Sequence, residues 1–280
     1  MALRTTSDTL KTRLSGARLD PNDAPAVILI GVWSLIMIAV PILRWTVGEA
    51  VFPLDISAGV IAQAAASMAA LWRIWGGRRV LAVFALMVVG AWTVEYVGHT
   101  TGFPFGHYAY TDLLQPQIGG VPALIPLAWL MMLPPAWAVA HLLTGRLSGT
   151  RGRIAFIGFS ALAFTAWDLF LDPQMVGWNL WVWDNPGAFH YFGIPWSNYA
   201  GWLLASILLT TAASFLAPLR RLPIVPLLLI YGITWFLETF GLILFWGQPG
   251  PGIAGGLVMG AVLLAAIRIA VRQRREGSAA

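Results

Sequence analysis

Residues 25–43 read PAVILIGVWSLIMIAVPIL, an uncharged apolar run. A helix that spans a bilayer needs about 20 such residues, so this run is long enough to cross one. Seven further apolar runs follow between polar breaks, at 55–75, 80–98, 123–144, 154–172, 197–217, 224–246 and 252–271. The sequence therefore predicts an all-α, polytopic integral membrane helix bundle with about eight transmembrane helices.

The composition excludes a water-soluble protein. Hydrophobic residues make up 58% of the 280 and the mean hydropathy is +0.74. Only 10% are charged, against roughly 25% in soluble domains. We predict a polar tail over 1–24, a single transmembrane helical domain over 25–271, and a basic tail over 272–280. Because the chain has no cysteine, thiolate nucleophiles and cysteine-ligated metals are excluded.

The basic residues orient the bundle. When each is assigned to the turn it occupies, all but Arg44 fall in the two tails or in alternate turns. Cations are retained on the cytoplasmic face, so both termini are predicted inside, in a bacterial cytoplasmic membrane. The pI near 10.1 then reflects topology and indicates no nucleic-acid partner. The retained cations are Arg4, Lys11, Arg13, Arg18, Arg73, Arg78, Arg79, Arg146, Arg151, Arg153, Arg220, Arg221, Arg268, Arg272, Arg274 and Arg275.

Four acids within the spans converge near the outer side: Glu95, Asp168, Asp172 and Glu238. Ionisable groups are costly in a bilayer, which makes them candidates for function, although they can also bond neighbouring helices or face the outer water. Asp168 and Asp172 are four residues apart, on one helix face until Pro173 ends the helix. Two carboxyls that close are expected to share one proton, giving an acid and an anion.

Two long outer loops, 99–122 and 173–196, flank these acids. Both are rich in aromatic residues, Gly and Pro, and neither contains Lys or Arg. Irregular backbone at membrane depth needs protein or cavity water to satisfy it. We therefore predict that the loops cap a cavity, where tryptophans form an interfacial belt or stabilise a cation.

Two blocks of the sequence resemble the CruF-type membrane carotenoid 1,2-hydratase family. The first runs from Glu95 through the segment 102–106, GFPFG, to Tyr108, Tyr110 and Thr111, and continues at 120–122 and 126–129. The second comprises 168–173, DLFLDP, then Trp181 and Trp183, and 193–202, GIPWSNYAGW. The resemblance is strong over about residues 80 to 205 and continues elsewhere as a helix pattern.

The resemblance implies addition of water to the terminal C1,C2 double bond of an acyclic carotenoid end group. Lycopene, γ-carotene or a C50 precursor would enter from the bilayer, with water and lipid as the other partners and no cofactor. The chemistry needs a protonated acid, anionic and π surroundings for a tertiary carbocation, and one held water.

We assign roles from that chemistry. Asp172 or Asp168 is the proton donor and the other is the stabilising anion, while Glu95 with His99 positions the water or relays protons. The predicted substrate-binding residues hold the water, line the cation pocket or face the substrate; they are Tyr108, Tyr110, Asn198, Trp167, Trp181, Trp183, Trp202 and Glu238. No metal is predicted, because the histidines have no metal-binding spacing.

Other functions fit the same residues. An intramembrane prenyltransferase would use Asp168 and Asp172 as half of a magnesium-diphosphate motif, but Arg44 is the only cation in the outer half. A carotenoid cyclase would form the same carbocation without capturing water. A proton-coupled transporter or a carotenoid-binding scaffold would also explain acids within the membrane.

The last span carries a stripe of small residues, Gly252, Gly256 and Gly260. Such a stripe lets two helices approach closely, either within the chain or in a dimer. We favour packing inside the bundle, and the stripe does not predict the oligomeric state.

Overall fold

The computed structural model describes residues 21–278; residues 1–20 of the predicted tail 1–24 and residues 279–280 of the predicted tail 272–280 lie outside the described residues. Eight long helices run through this range, and each is long and apolar enough to span a membrane. The all-α polytopic fold predicted from the sequence is thus confirmed. The helices are α1 (Ala24–Val47), α2 (Phe52–Trp75), α3 (Gly77–Thr101), α4 (Ile125–Thr144), α5 (Gly149–Gly177), α6 (Trp196–Leu216), α7 (Ile224–Leu244) and α8 (Pro249–Ser278).

Helix α4 is the centre of the bundle. Nearly all its side chains are buried, and it packs against α2, α3, α5, α7 and α8. The surrounding helices instead turn large apolar side chains outward, such as Leu35, Phe215 and Leu257, which are 69%, 74% and 70% exposed. An apolar outer surface around a buried core is what a bilayer requires, because lipid is as apolar as these side chains.

Contacts between helix ends define two ends of the bundle. At one end, which we call the arginine end, Arg73 bonds Asp23 across α1 and α2 at 2.8 Å, and Arg153 bonds Ser214 at 3.0 Å. At the other, the loop end, Arg44 pairs with Glu49 at 2.8 Å. The predicted orientation, with the arginine end in the cytoplasm, stays a prediction.

Helix α5 runs through Pro173 to Gly177, so the prediction that Pro173 ends this helix is wrong. Proline removes the hydrogen bond to the carbonyl four residues earlier, which is that of Leu169. The hydroxyl of Tyr191 donates to this Leu169 carbonyl at 3.2 Å. A side chain from the second loop thus replaces the missing bond, as neighbouring groups do in other membrane helices.

The loops pair with each other at the loop end. Strand β1 (Tyr108–Tyr110) lies antiparallel to β4 (Trp181–Trp183), with Tyr110 opposite Trp181. Two small hairpins complete the cap, β2 (Gln117–Ile118) with β3 (Val121–Pro122), and β5 (His190–Tyr191) with β6 (Ile194–Pro195). The first loop starts where α3 ends at Gly102, whose positive φ of 77° favours glycine.

The glycine stripe packs inside the bundle. A Cβ at Gly260 would lie 2.8 Å from Trp235 Nε1, and one at Gly256 would lie 3.0 Å from Thr239 Cγ2. Trp235 Nε1 also donates to the Gly256 carbonyl at 2.8 Å. Helices α7 and α8 are therefore in contact along the stripe, as favoured from the sequence.

Candidate active site

A central cavity opens beneath the paired loops; its empty volume, which includes space open to the solvent, is about 1120 Å³. Side chains from α1 to α7 line it, and most are apolar. It extends from the loop end to Trp33, Gln63 and Thr234, which lie near the middle of their helices. Its polar lining residues are Asp55, Gln63, Glu95, Tyr108, Tyr110, Asp172, Gln174, Asn198, Thr234 and Glu238.

Glu95 on α3 is enclosed by three hydrogen-bond donors. The hydroxyls of Tyr108 and Tyr110 donate to its Oε2 at 2.6 and 2.8 Å. Trp129 Nε1 donates to Oε1 at 2.9 Å. Donors on both oxygens are the environment of a carboxylate, so the geometry suits a fixed anion in the cavity wall.

The two tyrosines are held as donors. Burial, and then the charge of Glu95, raise the pKa of both the Tyr108 and the Tyr110 phenols well above the usual range. Both phenols therefore keep their protons at physiological pH. Strand β1 places the two rings on one side of Glu95, at a centroid distance of 5.3 Å.

Asn198 joins the two aspartates. Its Nδ2 donates to Asp168 Oδ2 at 3.0 Å and to Asp172 Oδ2. Trp181 Nε1 donates to Asp172 Oδ1 at 3.0 Å. Because both partners of the Asn198 amide nitrogen are acceptors, this network fixes the amide orientation and leaves Asn198 Oδ1 as a further acceptor.

The two aspartates differ in their access to the cavity. Asp172 and Asn198 line the cavity, whereas Asp168 is 0% exposed and is not among the lining residues. Asp168 Oδ1 has no hydrogen-bond partner among the described residues. The predicted pair is thus brought together, with one member facing the cavity and the other behind it.

Sheet β1–β4 couples the two acid sites. Tyr110, which bonds Glu95, lies directly opposite Trp181, which bonds Asp172. Trp183, opposite Tyr108, donates to the Phe105 carbonyl at 3.3 Å. The loops therefore orient the carboxyl groups in addition to covering them.

An aromatic wall stands beside the acids. The Trp129 and Trp202 rings stack with centroids 4.7 Å apart, and Trp202 meets Trp167 edge to face at 6.0 Å. Phe164 packs behind them, stacked on Trp202 at 5.2 Å. Such π faces stabilise a nearby cation.

The predicted residues fall in three positions. The cavity lining contains Glu95, Asp172, Tyr108, Tyr110, Asn198, Trp167, Trp181, Trp183, Trp202 and Glu238. Asp168 lies directly behind the lining. His99 lies outside it: its ring centroid is 6.3 Å from that of Tyr108 and 6.1 Å from that of Tyr110. This geometry gives His99 no direct contact with a molecule in the cavity.

Sequence reasoning missed several cavity residues. Trp129, which bonds Glu95, was quoted only as part of the family block. Gln174 lies two residues beyond Asp172 and also lines the cavity. Asp55 and Gln63 on α2 also line the cavity; their spacing of eight residues places them on one helix face and was the available signal.

The site has no counter-cation for a diphosphate. The lining residues include no Lys or Arg, and within the described part of the chain no three His, Asp or Glu side chains are grouped to hold a metal ion. A magnesium-diphosphate site needs a group of acidic ligands for the metal and a cation for the diphosphate. The prenyltransferase alternative therefore gains no support from this geometry.

Residues 55–265 match the family described as carotenoid biosynthesis protein. The match covers most of the chain and, of the helices that line the cavity, leaves out only α1 and the first residues of α2. The chain belongs to the carotenoid biosynthesis protein family. The family indicated by the sequence resemblance is thereby confirmed.

One curated relative of this carotenoid biosynthesis protein is the bisanhydrobacterioruberin hydratase of Haloarcula japonica. The two are 34% identical over 192 residues, which are 66% of this chain and 62% of the relative. The chain therefore aligns with less than two thirds of the relative's length. No solved structure matches the chain.

Proposed function

We propose that the chain is a carotenoid hydratase of a bacterial cytoplasmic membrane. It adds water to the terminal C1,C2 double bond of an acyclic carotenoid end group and gives a tertiary alcohol. The observation that carries the proposal is the Asp172 carboxyl, which faces an aromatic cavity and is linked through Asn198 to a second carboxyl. The name of the similar hydratase supports the same reaction class.

Asp172 is the proton donor in this reaction. Two carboxyls that share one amide nitrogen in a buried site share one proton, because two neighbouring charges there repel each other. Of the two, only Asp172 lines the cavity, so the proton passes from Asp172 to C2 of the substrate. Asp168 is the partner anion, and its negative charge favours the protonated form of Asp172.

The carbocation forms at C1 and is stabilised by the cavity wall. Glu95 supplies a negative charge held by three donors, and Trp129, Trp167 and Trp202 supply π faces. These groups are positioned before the charge develops, so they need no reorganisation in the transition state. We assign Glu95 to cation stabilisation, because its oxygens already accept three bonds.

A water held by Asn198 captures the cation. Asn198 Oδ1 accepts a hydrogen bond from this water, and the water oxygen forms the bond to C1. The proton released by the water goes to the Asp172 carboxylate. The alkene thus gains one water, and the acid pair returns to its starting state without a cofactor.

The substrate reaches the site from the bilayer. Lycopene, γ-carotene or a C50 precursor is about as long as the roughly 30 Å hydrocarbon core, so only one end fits in the cavity at a time. The apolar lining of α1 and α2, including Met37 and Val60, suits a polyene.

Expression in a lycopene-accumulating bacterium tests the proposal. We expect a product heavier by one water, or by two when both ends react, with a lycopene chromophore of unchanged length. A cyclised product of unchanged mass would favour the cyclase, and unchanged lycopene would favour a transporter or a scaffold. Asp112→Asn, an exposed loop acid that does not line the cavity, is the control for expression and membrane insertion.

A further inference from the structure

Asp168 does not line the cavity, and one of its two carboxyl oxygens lacks a partner among the described residues. Its Oδ2 accepts from Asn198, but its buried Oδ1 has no partner among the described residues. The hydroxyl of Tyr199, a residue 6% exposed, is also buried and without a partner there. Tyr199 follows Asn198 on α6, is not among the cavity-lining residues, and lies within electrostatic range of Asp168 and Asp172.

Tyr191 extends this group toward the surface. It is half-buried on the hairpin β5–β6, and its ring centroid is 5.5 Å from that of Tyr199. Burial, and then the charge of Asp168, raise the pKa of Tyr191 to about 12. The phenol therefore stays protonated, and it donates to the carbonyl left open by Pro173.

Two buried polar atoms without partners need a bridging group. Leaving such an atom unpaired costs about 1–3 kcal/mol, and proteins usually satisfy it with an ordered water. Asp168 Oδ1 and the Tyr199 hydroxyl both lack a partner among the described residues, and the two side chains lie within electrostatic range of each other. An ordered water joining them satisfies both atoms.

We propose that this region is a proton path between the loop-end surface and the acid pair, running beside Tyr191 through ordered water and the Tyr199 hydroxyl to Asp168. A proton moves along it by exchange: each hydroxyl or water accepts one proton and passes on another, and no covalent bond to carbon changes. The titratable groups around Asp168 are Asp172, Glu95, Tyr191 and Tyr199.

The path bypasses the substrate cavity. Asp172 and Asn198 face the cavity, whereas Asp168 and Tyr199 do not line it. A carotenoid that fills the cavity blocks water there, yet the acid pair still exchanges its proton with the surface. Its use in hydration rests on the proposed function, but the path itself does not.

Hydrogen–deuterium exchange of the protonated carboxyl, followed by its infrared carbonyl band, tests the path. The protein is reconstituted in lipid and transferred to D₂O, and the band is assigned to the proton shared by the pair through its change in Asp168→Asn and in Asp172→Asn. We expect Tyr199→Phe to slow the exchange about tenfold or more, as losing one hydrogen-bonded link of about 1.4 kcal/mol would do. Tyr231→Phe, a buried tyrosine outside the cavity that bonds the Ala163 carbonyl, is the matched control.

A second measurement needs no variant. Saturating wild-type protein with lycopene should not slow the exchange, because the path avoids the cavity. Wild-type exchange in Tyr199→Phe, exchange slowed by lycopene, or a carboxyl band unaffected by either aspartate substitution would each overturn the proposal. Failure to hydrate lycopene would instead contradict the proposed function and leave these exchange results unaffected.

Discussion

Replacing Asp172 with asparagine removes the proposed proton donor with little change in shape. In the wild type, Trp181 donates to Oδ1 and Asn198 donates to Oδ2. An asparagine at this position still accepts one of these bonds through its carbonyl oxygen. Its amide nitrogen meets the other donor, so that bond is lost.

The loss of the general acid and the loss of one hydrogen bond have effects of different size. General acid catalysis contributes about 10²–10⁴ in rate, so the barrier rises by about 3–5 kcal/mol without Asp172. One unpaired buried donor costs about 1–3 kcal/mol of stability, a small part of what the packing of α5 in the bundle supplies. We therefore expect a folded protein whose kcat is lowered by at least about 100-fold.

The assay uses purified protein in detergent with lycopene, and chromatography coupled to mass detection quantifies the hydrated product. Thermal unfolding and gel filtration of the same preparation report on folding. Asp112→Asn, the same substitution at an exposed loop position, serves as the control and should keep the wild-type rate. A folded Asp172→Asn protein with wild-type kcat would refute the assignment of the donor.

Three further predictions concern charge, pH and packing. Glu95→Gln keeps the shape but removes the anion, so hydration should slow about 100-fold or more, measured by kcat on lycopene; an unchanged kcat would contradict the assignment to cation stabilisation. Because folding raises the Tyr191 pKa from 10.0 to about 12, its contribution to stability is complete below pH 10 and is lost as the pH rises through about 12. Thermal unfolding between pH 10 and pH 12 should show a smaller loss of stability in Tyr191→Phe than in the wild type. Identical stability curves for the two proteins would contradict this contribution of Tyr191. Gly260→Val should lower the free energy of unfolding by about 1–3 kcal/mol, because its Cβ meets Trp235, whereas Gly158→Val, with open space around it, should have little effect; equal losses would disprove the packing argument.

The spans and the convergence of the acids follow from the sequence, because hydropathy and charge act locally along the chain. Glu95, Asp172 and Glu238 all line one cavity, as their common depth indicated. The end of α5 was mispredicted at Pro173 because the replacement donor, Tyr191, comes from a distant loop. A local rule for proline contains no information about such a partner.

The pairing of the two loops also could not be predicted from the sequence pattern. Strands β1 and β4 have three residues each, too few for a recognisable alternation, and their register depends on two helices that bring them together. For the same reason the sequence could not show that Asp172 lines the cavity and Asp168 does not. Their spacing places both on one side of α5, but which one faces a cavity depends on Asn198 and the packing of α6.

Hydration in heavy-oxygen water tests the central claim most directly, since it follows the captured water itself. Purified protein, lycopene and labelled water should give a tertiary alcohol with one labelled oxygen at each hydrated end, and Asp172→Asn should give almost none. An alcohol without the label, or a product that contains no oxygen, would contradict water capture at this site.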